Sequence, residues 1–136
     1  MSLSKKIIVL VVLILGGVSL YVLIPEAGER EYKQSDLYSY YMFTDNEIKK
    51  APRISSKYSF SYVAPDGGQR EMSIITFIGG DSMILGQYLS SLGFSLYRVQ
   101  DNGREEIWLN SERDGVVFYL RHDNQLKKIS LTKAIV

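Results

Sequence analysis

The one histidine of the chain, His122, stands beside Asp123 in a polar stretch that reads as a turn. A catalytic histidine needs a hydroxyl nucleophile and an orienting acid converging on it. No G-x-S-x-G or comparable signature supplies the nucleophile. Ser90-Ser91 fall on a segment of helical pattern, where solvent is the simpler destination. A small hydrolase is therefore the least favoured reading. With no cysteine and one histidine, thiol catalysis, disulfides and Cys-based zinc sites are excluded, and only carboxylates remain for a metal. Asp101-Asn102-Gly103 has the opening of a calcium loop, but the later ligands and the bidentate Glu do not follow, so a hairpin turn is expected. Glu105 and Glu106 are adjacent on a strand pattern and point to opposite faces, so pairing with Arg98 or Arg121 is expected instead of a shared site. Gly67-Gly68 and Gly79-Gly80 lack the residues and spacing of phosphate or dinucleotide loops. No catalytic, metal or cofactor site is expected.

Aromatic residues are the more informative set. Tyr32, Tyr38, Tyr40, Tyr41, Phe43, Tyr58, Phe60 and Tyr62 crowd one part of the sequence. Tyrosine is enriched at binding surfaces, where it offers large area at low entropic cost. The competing reading makes most of these rings the core under a hairpin. A half-buried tyrosine-rich face suits a protein partner better than a small molecule. The candidate partner-binding residues are Tyr38, Tyr40, Tyr41 and Arg53, with Trp108 marking an alternative surface on the C-terminal strands.

These residues must be placed by a small α+β domain over 37–136. Thr44-Asp45-Asn46-Glu47 has the form of a capping box and predicts a short helix that stops before Pro52, with Phe43 and Ile48 spaced as a hydrophobic staple. Lys57–Val63 alternates with period two, Pro65-Asp66-Gly67-Gly68 turns, and Arg70–Ile78 returns with apolar residues on both faces, as a central strand does. Asp81-Ser82 offers an N-cap to a helix over Met83–Leu92, where Ile84, Leu85, Tyr88, Leu89 and Leu92 are helically spaced and Gly93 terminates. Four strands complete the chain: Phe94–Val99, Arg104–Leu109, Val116–Arg121 and Lys127–Thr132. Short helix, hairpin, helix and four-strand meander predict an antiparallel sheet with a helix on one face.

The N-terminus differs from this domain. Ile7 to Ile24 carries no charge, and as a helix of about 27 Å it approaches the hydrocarbon thickness. Lys5 and Lys6 precede it; Pro25 and Glu26 come after it, and Tyr21 lies near its far end. This predicts a cytoplasmic N-terminus at 1–6, a single-pass transmembrane anchor at 7–24 with the lipid bilayer as its partner, and a juxtamembrane linker at 25–36. The absence of an A-x-A-like site disfavours a cleaved signal peptide. Beyond the anchor the charge is 16 − 2 = 14 basic against 15 acidic residues, which gives no footprint for nucleic acid. With no cysteine and no N-x-S/T sequon, the composition leans toward a bacterial inner membrane with a periplasmic domain. The functional expectation is a membrane-anchored, non-enzymatic protein-binding module. An immunity-type inhibitor of a toxin and an accessory subunit of an envelope secretion or division complex are its two versions.

Overall fold

The computed structural model describes residues 2–23 and 29–136, with the side chains of 20–23 outside the described set. The element order is α1 (Leu3–Leu23), β1 (Glu29–Tyr32), α2 (Leu37–Phe43), α3 (Asn46–Lys49), β2 (Tyr58–Val63), β3 (Glu71–Ile78), α4 (Ser82–Ser91), β4 (Ser95–Gln100), β5 (Glu105–Leu109), β6 (Val116–Asp123) and β7 (Lys128–Ile135). The class is α+β. Seven strands form one antiparallel sheet in the order β1-β2-β3-β7-β6-β5-β4. The hairpin and the meander are joined because the last strand returns to pair with β3, Ile75 opposite Leu131 and Phe77 opposite Ile129.

The N-terminal expectation is corrected. Among the described residues no helix is long and apolar enough to cross a membrane. That finding overturns the transmembrane anchor at 7–24 and the single-pass inner-membrane placement with a cytoplasmic N-terminus and a periplasmic domain. Pro25, Glu26 and the side chain of Tyr21 lie outside the described residues. Within the expected linker, Glu29–Tyr32 is a strand that pairs with β2, Tyr32 opposite Phe60. Its last side chain explains why: Tyr32 is buried, its ring stacked on Phe60 at 6.0 Å.

One face of the sheet carries the helices and the core. Phe60, Ile75, Phe77, Phe118, Leu120 and Leu131 are fully or almost fully buried there, together with Leu85 and Leu89 of α4 and Ile48 of α3. The second apolar face of β3, with Met72, Ile74 and Thr76, is only half-buried, so apolar residues on both sides do not mean cover on both sides. In α4 the helical spacing holds for Leu85 and Leu89, while Ile84 faces out. Asp81 caps α4 by accepting from the Met83 amide at 2.9 Å. Before it, Gly80 sits at φ +103°, where a Cβ would come 2.5 Å from the Ile54 carbonyl oxygen, so only glycine fits this turn.

Three local assignments differ from the expectation. Asp45, not Thr44, caps α3, accepting from the Glu47 amide at 2.8 Å. Thr44 instead ends α2 and hydrogen-bonds the Tyr32 hydroxyl at 2.7 Å. The aromatic run is itself a helix, because the Asp36 carboxylate accepts from the Ser39 amide at its start. His122 is not in a turn: it is a β6 residue opposite Ile129, and the chain turns later, at Lys127 with φ 53°.

Candidate functional site

Aromatic rings assemble at the β1–β2 end of the sheet. Phe60 is their centre. Tyr32 stacks on it, Tyr40 meets it edge-on at 5.2 Å, and Tyr58 does so at 5.9 Å. Phe43 packs on Tyr62 at 5.1 Å and on Tyr38 at 6.0 Å. Cations cap the rings: Arg53 lies 5.0 Å from Tyr58 and 5.4 Å from Phe60, and Arg30 lies 5.0 Å from Phe43. Burial raises the Tyr32 hydroxyl above its ordinary pKa against the opposing pull of the Thr44 bond, and burial likewise raises Tyr62.

The candidate partner-binding residues divide on this geometry. Tyr40 is 8% exposed and belongs to the core, which limits what it can offer a partner. Arg53 is half-buried, donates to the Ala51 carbonyl at 2.8 Å and clamps Tyr58 and Phe60. Tyr38 is half-buried and Tyr41 is exposed. The helical turn of α2 leaves Leu37, Tyr41 and Met42 outside, at 63%, 66% and 60% exposure. Lys49 sits beneath this face, 5.1 Å from the Tyr41 ring and 5.5 Å from Tyr40. Tyr38, Tyr40 and Tyr41 are therefore together on α2, Arg53 joins them through Phe60, and Trp108 is apart from them on β5.

Beside the aromatic cluster lies an ionic clasp that the sequence reading missed. Lys133 of β7 is 7% exposed and reaches Asp45 and Glu47 at 2.8 Å each. Arg113, in the loop before β6, grips Glu47 with both guanidinium nitrogens at 2.9 and 2.7 Å. The Arg113 bond is the main reason the Glu47 carboxyl falls to about 2; burial opposes it and Lys133 adds to it. The Tyr88 hydroxyl donates to the Glu47 carbonyl, and burial, then the charges of Glu47 and Asp45, push it up to about 12. Every carboxylate oxygen of the pair accepts at least one bond from within the fold, so the clasp joins α3 to β7. The available signal was alternation: Ile129, Leu131 and Lys133 share one face of β7, which continues beyond Thr132.

Trp108 and His122 face a groove of about 490 Å³ under α4, lined also by Met83, Gly86, Gln87 and Leu96. A Cβ on Gly86 would stand 3.5 Å from the Trp108 ring, an ordinary contact distance, so this turn of α4 lies over the ring. The Trp108 indole N–H is buried without a protein acceptor among the described residues. His122 Nε2 lies 3.9 Å from Glu106, and among the described residues no hydroxyl hydrogen-bonds it. Glu105 pairs across the other face with Arg121 at 3.1 Å, as the strand alternation requires.

Comparison with protein-family models, with curated proteins and with solved structures gives no match in any of the three.

Proposed function

We propose that the chain is a non-enzymatic protein-binding module whose contact surface is the outward face of α2. The observation that carries this reading is the exposure of Leu37, Tyr41 and Met42 on one short helix over a rigid aromatic base. Interface energy concentrates in a few aromatic anchors held firmly by their own protein. Tyr41 is such an anchor: it is exposed, while Tyr40 at 5.2 Å and Lys49 fix its ring. Asp36 caps α2, and Asp45 and Glu47, which come just after it, are paired with Lys133 and Arg113, so each of these acids has a structural role that favours binding over turnover.

The test is capture of native partners by the full-length chain and by Tyr41→Ala with Met42→Ala. The double variant should melt as wild type does and lose a defined captured species. Retention of every captured species by a folded double variant would place binding elsewhere.

A further inference from the structure

The two outer strands of the sheet are unlike. β1 is four residues long, and Glu29, Arg30 and Glu31 charge it, which is how edges are commonly protected. β4 is six residues long, SLYRVQ, and every one of its residues is exposed. Leu96, Tyr97 and Val99 are 47%, 63% and 49% exposed on it, and Arg98 is its single charge. Among the described residues nothing pairs with its outer main-chain groups, since β4 ends the sheet. A long, apolar, nearly uncharged edge is a template for a further strand.

We propose that this edge takes the β4 strand of a second copy, antiparallel about a two-fold axis, so that two seven-stranded sheets become one. The bulge in β4 selects the register. Leu96 lies opposite Trp108 and Val99 opposite Glu106, with one extra residue between them, so Leu96 and Val99 share the helix-covered face. Ser95, opposite Leu109, and Gln100, opposite Glu105, share the other face. Side chains opposed across a ladder point the same way. Pairing Leu96 with Val99 of the second copy therefore also pairs Ser95 with Gln100 and Tyr97 with Arg98, and all six residues are used. Without the bulge, Leu96 and Val99 would point to opposite faces and this pairing would fail.

The chemistry agrees at each position. Leu96 against Val99 covers exposed apolar surface beside the Trp108 groove. Tyr97 against Arg98 repeats between chains a contact already present within one, where the Arg98 guanidinium lies 5.6 Å from the Tyr97 ring. Ser95 against Gln100 joins two polar side chains. An axis centred on Arg98 would instead oppose two like charges, which is unfavourable. This association is independent of the α2 surface, which lies over β1 and β2 at the far end of the sheet.

Because the chain contains no cysteine, an engineered pair reports the register without background. Oxidation of the full-length chain carrying Leu96→Cys and Val99→Cys should yield a covalent dimer. The pair Ser95→Cys and Val99→Cys, on opposite faces, should not. In sedimentation the wild type should be dimeric and Leu96→Asp monomeric, while Leu96→Lys with Val99→Glu should restore the dimer through two reciprocal ion pairs. Leu96 is exposed in the single chain, so at concentrations too low for association melting should not change; if Leu96→Asp melts early there, the cysteine pairs decide. A monomeric wild type, a dimer that folded Leu96→Asp leaves intact, or equal cross-linking by both cysteine pairs overturns the proposal.

Discussion

At the β1 end of the sheet a short charged strand is sealed by rings: Tyr32 and Tyr40 both lie on Phe60, and α2 covers them. At the β4 end a longer apolar strand lies bare, and α4 reaches inward to β6 without covering it. The same sheet thus ends on one side in a short charged strand backed by aromatic residues and on the other in a longer, bare apolar strand. The difference arises from the segment that the chain places after each strand. A capped aromatic helix succeeds β1, whereas β4 runs straight into the left-handed turn at Asp101-Asn102, with φ 53° and 55°. Aromatic density alone does not therefore mark a binding surface. Most rings at the closed end stabilise the fold, and the part left for a partner is the outer turn of α2.

The contrast can be broken from either end, and the core substitutions should act most strongly. Phe60→Ala removes the ring on which Tyr32, Tyr40 and Tyr58 converge and should cost about 3–5 kcal/mol in denaturant unfolding. Leu89→Ala, fully buried on the sheet-facing side of α4, should cost about 2–5 kcal/mol. If Phe60→Ala costs no more than a surface change, the closed end is not sealed by rings.

Lys133→Ala should come next, at about 3 kcal/mol, because it leaves Asp45 and Glu47 partly buried with one cation between them. The clasp also sets a pH dependence. The Glu47 carboxyl is lowered from 4.5 to about 2 in the folded chain, so folding favours its charged form. Its contribution is complete above pH 4.5 and is lost as pH falls through that window toward 2. Glu47→Gln should flatten the acid limb of stability against pH there. An unchanged limb would show that another carboxylate carries it.

Much of the fold was legible from local chemistry. The hairpin of β2 and β3 was readable from alternation and the Pro65–Gly68 turn, α4 from Asp81 and the Leu85–Leu89 spacing, and the β4–β5 turn from Asp101-Asn102-Gly103. The features that escaped depended on distant partners. β1 reads as solvent-facing charge until Tyr32 finds Phe60. Tyr-Ser-Tyr-Tyr-Met-Phe has modest helix propensity and becomes α2 through the Asp36 cap and packing on the sheet. Thr44 and Glu47 had the spacing of a capping box, but Tyr32, Arg113 and Lys133 recruit them elsewhere, from far along the chain. Of the candidate partner residues, sequence alone could not separate Tyr40 from Tyr41, because which face of a short helix is buried depends on what it packs against.

That pair supplies the next smaller effect. Tyr41→Ala should weaken partner binding by more than about 1 kcal/mol with a stability change within about 0.5 kcal/mol. Tyr40→Ala should lower stability first. Reversal of the two would exchange their roles. Smallest of all, His122→Ala should leave partner binding and stability close to wild type, since its nearest charged group is Glu106 at 3.9 Å.

The open and closed edges can be compared in a single amide hydrogen-exchange measurement on the full-length chain at low and high protein concentration. Exchange across Ser95–Gln100 should slow as concentration rises, while Glu29–Tyr32 and Leu37–Phe43 exchange at the same rates throughout. Slowing in Glu29–Tyr32, or no concentration dependence in Ser95–Gln100, would contradict an open β4 edge beside a closed β1 edge.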